Sequence, residues 1–242
     1  MTMHAETMTP TYRVLVTDEI DPEGVALLRG DERIAVDELP TLPAAEILEI
    51  ISGYDAFVGR SATRVTAELL ERGERLRIVG RAGVGIDNIA VERATELGVA
   101  VINAPGGNTI SVAELFFGAL LSLARNLYEA HTSMREGRWD RSRLGGTELQ
   151  GRTLAIIGLG RIGTEVARRA RAFGMTVVAY DPYVAAGRFE ELGVERVERL
   201  VEALERADVL TVHVPLTAET RGMIGASELA RLSPGAVVVN MA

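Results

Sequence analysis

The stretch 153-TLAIIGLGRIGTEVARRARAFGMTVVAYD-181 decides how the rest of this chain is read. Thr153–Ile157 is an apolar, strand-like run that enters the turn Gly158-Leu159-Gly160-Arg161-Ile162-Gly163. A helical segment follows to about Phe173. A second strand, Thr176–Tyr180, then delivers Asp181. The order is that of a βαβ unit, and each part has a physical task. Gly158 permits the tight turn, Gly160 lets backbone approach a pyrophosphate, and Gly163 lets helix and strand pack closely. The helix start offers unpaired N–H groups and a positive dipole end to phosphates. An acid at the end of the second strand accepts hydrogen bonds from an adenosine ribose diol. Glycines alone would also suit a ligand-free turn. The strand–turn–helix–strand–Asp order is the context that makes the pattern a dinucleotide fingerprint.

The cofactor expected is NAD rather than NADP. Asp181 repels a 2′-phosphate, and Pro182 and Tyr183 supply no cation to hold one. Arg161 sits beside the pyrophosphate position and can pair with it, although a solvated surface arginine would look the same in sequence.

Composition narrows the classes further. At 242 residues, one or two domains are expected, and 47% apolar residues suffice for a real core. Only Met1–Pro10 reads as a tail. A net charge of −8 argues against nucleic acid as a partner. There is no cysteine, which excludes disulfides, thiolate nucleophiles and cysteine metal sites, and no metal is expected. All 26 basic residues are arginine, so lysine Schiff-base chemistry is excluded. Arginine- and alanine-rich usage suggests a high-GC bacterial genome. No basic-then-apolar leader opens the sequence, and no apolar run reaches membrane-span length, so the cytoplasm is the expected compartment, with no membrane partner.

Strand-like runs alternate with helical segments, the pattern of α/β folds. The first group of strands is Tyr12–Thr17, Arg33–Glu38, Ala56–Arg60, Arg77–Arg81 and Val99–Asn103, with helices at Pro22–Arg29, Pro43–Ser52, Thr66–Arg72 and Val91–Leu97. The second is Thr153–Ile157, Thr176–Tyr180, a short Glu195–Val197, Val209–His213 and Ala236–Asn240. Two doubly wound parallel-sheet domains follow, 1–103 and 104–242, the second a Rossmann domain in strand order 3-2-1-4-5. Between the groups, Ser111–Gly137 reads as one long helix, with a capping box from Ser111 to Glu114. It is apolar around most of its circumference. Such a helix is buried, either in the core or against another subunit, and the sequence favours a subunit interface.

Three loops at the carboxyl ends of strands carry arginines and glycines: Gly59–Arg64, Arg81–Asn88 and Asn103–Thr109. That edge is where open parallel sheets bind ligands. Arginines with successive backbone N–H groups suit a carboxylate or phosphate, while Gly, Asn and Pro also make turns with no ligand.

Read together, GRSATRVT (59–66), GRAGVGIDNI (80–89), NAPGGNTISVAE (103–114), GRWDRSRLGGTEL with GRT (137–149, 151–153), GLGRIG (158–163) and AYDPY (179–183) resemble the D-isomer-specific 2-hydroxyacid dehydrogenase family, in its phosphoglycerate branch. The resemblance runs from about Tyr12 to Ala242. The Trp139-Asp140-Arg141 and Gly146–Leu149 pattern is particular to that branch. It implies a flavodoxin-like substrate domain before the NAD-binding domain. It also implies NAD-dependent oxidation of 3-phosphoglycerate to 3-phosphohydroxypyruvate in serine biosynthesis, by a homodimer or homotetramer joined through residues 111–137. Carried over by motif, Arg60 and Ser61 contact substrate, and Gly83, Val84 and Gly85 offer N–H groups to its carboxylate. Asn108 lies at the domain cleft. Arg141 reaches the substrate phosphate from the neighbouring subunit. Gly158, Gly160, Arg161, Ile162, Gly163 and Asp181 hold NAD, and His213, Val214, Pro215 and Asn240 pass beside it. Val84 and Val214 stand where some relatives carry threonine, so only backbone contacts are implied there.

In that family catalysis rests on an arginine directly after Asn-x-Ala, an acid and a later histidine. This chain reads Asn240-Met241-Ala242 and stops, so the three are expected beyond Ala242 and the catalytic set within the chain is empty. The expectation is a truncated product with a Rossmann domain incomplete at its end. The strand AVVVN would form an exposed edge, the helices returning over the first domain would be missing, and turnover would be slight. None of His4, His131 and His213 reads as a replacement base. Two further readings remain: a glyoxylate or hydroxypyruvate reductase of the same family, and a non-catalytic NAD-sensing module.

Overall fold

The computed structural model describes residues 11–242, so His4 and the Met1–Pro10 tail lie outside the described residues. The chain divides into two compact units, one ending at Asn108 and one spanning Thr109–Ala242.

The first unit strings together β1 (Tyr12–Val16), α1 (Pro22–Arg29), β2 (Ile34–Glu38), α2 (Ala44–Ile50), β3 (Ala56–Gly59), α3 (Ala67–Arg72), β4 (Ile78–Arg81), α4 (Val91–Glu96) and β5 (Ala100–Asn103). All neighbouring strands are parallel, in the order β2-β1-β3-β4-β5. That is the flavodoxin-like winding, with its order reversing between β1 and β3. Alternation along the strands divides the core. Leu15, Phe57 and Val79 face Ile47, Ile51, Leu69, Leu70 and Ala94, while Val14 and Val16 pack on Val25 of α1. Local signals set the helix starts. The Asp21 carboxylate accepts the Glu23 N–H ahead of α1, and Thr66 Oγ1 accepts the Leu69 N–H ahead of α3. Ile78 and Ile102 are exposed.

The second unit begins with α5 (Thr109–Ala124) and α6 (Leu127–Arg135). It continues through β6 (Thr153–Ile157), α7 (Arg161–Ala172), β7 (Thr176–Tyr180), α8 (Ala186–Leu192), β8 (Glu195–Arg196), α9 (Leu200–Arg206), β9 (Val209–Val212), α10 (Ala226–Leu229) and β10 (Val237–Asn240). Its parallel sheet runs β10-β9-β6-β7-β8, the 3-2-1-4-5 winding, with β10 at an edge. The order reverses between β6 and β9. Leu154, Ile156, Val177 and Ala179 pack under Phe116 and Leu120 of α5 and Val166 of α7. On the opposite face Ala155, Ile157, Val178 and Leu210 meet Ala203 and Leu204 of α9. Both faces of each central strand are thus covered, which explains why these strands read as continuous apolar runs.

The expected helix over 111–137 is two helices. They meet at a 62° bend, where Asn126 adopts left-handed backbone (φ 51°) and donates its side-chain amide to the Gly145 carbonyl at 2.9 Å. The apolar pattern runs through the bend, so periodicity alone hides it. Asparagine is among the few residues that adopt this backbone at small cost. The expected Ser111 capping box is also absent. The helix starts at Thr109, which places Ser111 inside its first turn. Burial of α5 is one-sided. Ala113, Phe116, Phe117 and Leu120 are buried, whereas Leu115 and Leu123 stand 61% and 60% exposed.

Candidate functional site

The cofactor fingerprint is built by close packing at the point where the second sheet reverses its order. Gly158 directly follows β6 with φ +95°, and a Cβ there would lie 2.7 Å from the carbonyl oxygen of His213, just past β9. A Cβ on Gly163 would run into the Gly158 carbonyl. Only glycine meets these two demands. Gly160 differs, because nothing lies within 4 Å of where its Cβ would be. It is the N-cap of α7 and no side chain caps that helix start. The first-turn N–H groups therefore face open space beside a glycine that excludes nothing. A pyrophosphate fits that cradle.

Asp181 closes the other side. Its Oδ2 accepts the Leu159 N–H at 2.8 Å, and its Oδ1 accepts the N–H of Tyr183 at 2.9 Å and of Val184 at 3.3 Å. One carboxylate thus ties the fingerprint turn to the turn after β7. Tyr183 lies exposed and donates its hydroxyl to Glu219 at 2.9 Å. Arg161 opens α7, exposed, with no ion pair among the described residues, while Ile162 packs on the core. His213 follows β9, its N–H donated to the Ile157 carbonyl at 2.7 Å. Its Nε2 pairs with Thr211 Oγ1 at 3.0 Å, and its Nδ1 is buried with no partner among the described residues. Burial pushes the imidazole down to about 4, so it is neutral at neutral pH. Val214 and Pro215 continue the same edge. Asn240 ends β10, exposed, its Oδ1 accepting the Ala242 N–H at 2.9 Å.

In the first unit the carboxyl ends of β3, β4 and β5 enclose a cavity of about 490 Å³. Arg60, Ser61, Gly83, Val84, Gly85 and Asn108 all line it, so six of the seven expected substrate residues converge there. The seventh, Arg141, lies exposed in the second unit on a short 3-10 turn, Arg141–Arg143. Sequence reasoning missed Arg81 as an individual residue of the site, although it opens one of the candidate loops. Arg81 lines the cavity, and its Nε is buried without a partner among the described residues. Its guanidinium lies against the glycine loop, since Cβ atoms on Gly83 and Gly85 would stand 3.5 and 3.2 Å from Nη1. An unpaired buried donor beside a peptide loop is a place for an acceptor.

The loops are braced from below. Asp18, just past β1, accepts the N–H of Arg60 at 2.8 Å and of Thr63 at 3.0 Å, and the Thr63 hydroxyl at 2.7 Å. Burial works against its charge, but these donors outweigh it and hold the carboxyl below the usual carboxylate range. Asn88 donates to the carbonyls of Arg60 and Thr63 at 2.9 and 2.7 Å, and Asn103 donates to Val84 at 2.7 Å. No cluster of His, Cys, Asp and Glu able to hold a metal occurs among the described residues.

Residues 117–242 match the family described as D-isomer specific 2-hydroxyacid dehydrogenase, NAD binding domain. This chain belongs to the D-isomer-specific 2-hydroxyacid dehydrogenase family. Its cofactor is accordingly NAD, the dinucleotide expected from Asp181. Among family members, the D-3-phosphoglycerate dehydrogenase of Methanocaldococcus jannaschii is 47% identical over 95% of this chain and 44% of that protein. The hydroxypyruvate reductase of Thermotoga maritima is 44% identical over 96% of this chain and 74% of that protein. The solved D-lactate dehydrogenase from Aquifex aeolicus, complexed with NAD and lactic acid, superimposes with a TM-score of 0.83 at 28% identity, covering 95% of this chain and 68% of that one. The chain thus spans less than half the length of that phosphoglycerate dehydrogenase. The strand ends described above are where open α/β sheets generally bind ligands.

Proposed function

We propose that this chain provides the cofactor-binding and substrate-binding parts of an NAD-dependent dehydrogenase that oxidises a phosphorylated 2-hydroxy acid. The substrate inferred is 3-phosphoglycerate, oxidised to 3-phosphohydroxypyruvate for serine synthesis. The observation that supports this most is the 490 Å³ cavity. Arg60, Arg81 and the glycine loop 83–85 meet there, with Asp87 the one acid on the lining, a set suited to a carboxylate. The N–H groups of Val84 and Gly85 take the carboxylate, whereas the expected Gly83 N–H is donated to the Arg81 carbonyl at 2.8 Å and shapes the turn instead; Arg60, Ser61 and Arg81 lie beside it and Asn108 at the rim. Each charge-assisted hydrogen bond of this kind contributes about 1.5–3 kcal/mol. Arg141 takes the phosphate, supplied by a second copy of the chain.

NAD, when bound, accepts the hydride from the carbinol carbon. Gly158, Gly160 and Gly163 shape its cradle, the α7 start and Arg161 hold its phosphates, Ile162 packs beneath, and Asp181 selects the unphosphorylated ribose. His213, Val214, Pro215 and Asn240 border it. The chain by itself is expected to bind NADH and turn over slowly or not at all. His213 is neutral with Nε2 engaged, His131 stands exposed on α6, and no carboxylate orients either among the described residues. The exposed Leu115 and Leu123 of α5 are the surface through which copies of the chain associate.

A second reading is a reductase of hydroxypyruvate or glyoxylate. It is favoured by the share of the Thermotoga maritima hydroxypyruvate reductase that the chain covers, 74%. Calorimetric titration separates the two. With NAD present, 3-phosphoglycerate should bind the wild-type chain at least about tenfold more tightly than unphosphorylated glycerate, and Arg141→Ala should remove most of that difference. Equal affinity for both acids would favour the reductase.

A further inference from the structure

Asp18 stands where the first sheet reverses its strand order, between the ends of β1 and β3. It and Glu19 both adopt left-handed backbone, with φ of 66° and 51°. Aspartate adopts this backbone at small cost but the glutamate after it does not, so the pair persists only where surrounding contacts over-determine it. The contacts are the three hydrogen bonds that Asp18 accepts from Arg60 and Thr63. Asp18 itself is 5% exposed. Gly59 makes the approach possible, since a Cβ there would sit 3.3 Å from Asp18 Oδ2 and closer still to the Phe57 ring. From the other side, Asn88 grips the carbonyls of Arg60 and Thr63. The Arg60 peptide is therefore held at its N–H by Asp18 and at its C=O by Asn88. Arg60 itself lines the cavity.

A buried negative charge beneath an anion cavity would ordinarily oppose the ligand. Here its lone pairs are occupied by loop donors, so the charge fixes the loop. The left-handed turn at residues 18 and 19 and the buried charge both make sense as features that aim Arg60. They are poor choices for stability alone, because an apolar brace would avoid both.

We propose that Asp18 is a positioning residue of the anion cavity: through the Arg60 and Thr63 peptides, clamped opposite by Asn88, it fixes the loop that carries Arg60 and Ser61 in the binding geometry. This rests on the anion-site reading under Proposed function. The test is a double-mutant cycle on the full chain. 3-Phosphoglycerate affinity is measured by calorimetry, and NADH binding by fluorescence serves as the control for folding. Asp18→Asn should weaken 3-phosphoglycerate by about tenfold and leave NADH affinity unchanged. In an Arg60→Ala background the same change should cost less than about twofold, because the residue being positioned is gone. Thr63→Val, which keeps the carboxylate and removes one donor, should weaken the ligand by a smaller factor and stands in if Asp18→Asn does not fold. Exchange of the Arg60 and Thr63 amide hydrogens should quicken in Asp18→Asn. Equal 3-phosphoglycerate affinity in wild type, Asp18→Asn and Thr63→Val would overturn the proposal, as would an Asp18 effect of the same size with and without Arg60. A wild-type chain that binds NADH but no 3-phosphoglycerate would instead overturn the anion-site reading, and this inference with it.

Discussion

The Asp181 carboxylate holds the Leu159 N–H at 2.8 Å, so the residue that ends the second strand of the fingerprint also fixes the glycine turn after the first. With Asp181 proposed to select the ribose, that selection and the shape of the glycine turn would be coupled in one side chain. Asp181→Ala should lose both, weakening NADH by about 1–3 kcal/mol, the cost of leaving a partner unsatisfied. Asp181→Asn keeps an acceptor and removes the charge, so its preference for NADH over NADPH should narrow. Fluorescence titration with both nucleotides checks the pair. An unchanged NADH/NADPH ratio in Asp181→Asn would show that the charge does not select the cofactor.

The glycines of the turn separate by role. At Gly163 a methyl group meets the Gly158 carbonyl, and at Gly160 it meets nothing. Gly163→Ala should therefore destabilise the second unit by about 1–3 kcal/mol through overpacking. Gly160→Ala should leave the melting temperature close to wild type and weaken NADH by obstructing the phosphate approach. Thermal melts alongside NADH titrations read both effects. The reverse pattern would mean that Gly160 serves packing.

Much of this was legible in the sequence for physical reasons. Strands covered on both faces read as apolar runs, and the runs at Leu154–Ile157 and Val177–Ala179 are buried on both sides as read. The fingerprint glycines were legible by their spacing within a strand–turn–helix, although only Gly163 answers a neighbour in the turn, while Gly158 answers His213 and Gly160 meets no atom. What escaped depended on tertiary contacts. The bend at Asn126 is fixed by the Gly145 carbonyl nineteen residues away, which periodicity does not register. Asp18 acts on residues more than forty positions on, and its left-handed backbone leaves no trace in its neighbours. Arg81 looks like any arginine until its Nε is seen buried without a partner.

His213 makes stability depend on acid. Its imidazole takes a proton near pH 6.5 when unfolded and only near pH 4 when folded. Between those values the unfolded chain binds more protons, so stability falls as pH drops from 6.5 toward 4 and is unaffected above that window. The contribution lost is up to about 3 kcal/mol. His213→Gln should flatten this part of the profile. Denaturant unfolding at pH 7 and pH 5 measures it, and equal acid sensitivity in wild type and variant would contradict the account.

The exposed leucines of α5 lie two turns apart on one face. If copies associate there, Leu115→Glu with Leu123→Glu should shift the chain toward monomer in sedimentation velocity while NADH binding and the melting temperature change little. A wild-type chain that sediments as a monomer at tens of micromolar would remove this surface from the proposed assembly.

The most direct measurement is calorimetric titration of the NAD-loaded chain with 3-phosphoglycerate, repeated with Arg60→Ala and Arg81→Ala. The account predicts one binding event for the wild type, weakened about tenfold or more by either substitution, with NADH affinity intact in all three proteins. Binding that ignores both arginines, or its absence from a chain that still holds NADH, would contradict the assignment of the β3–β5 cavity to a phosphorylated acid.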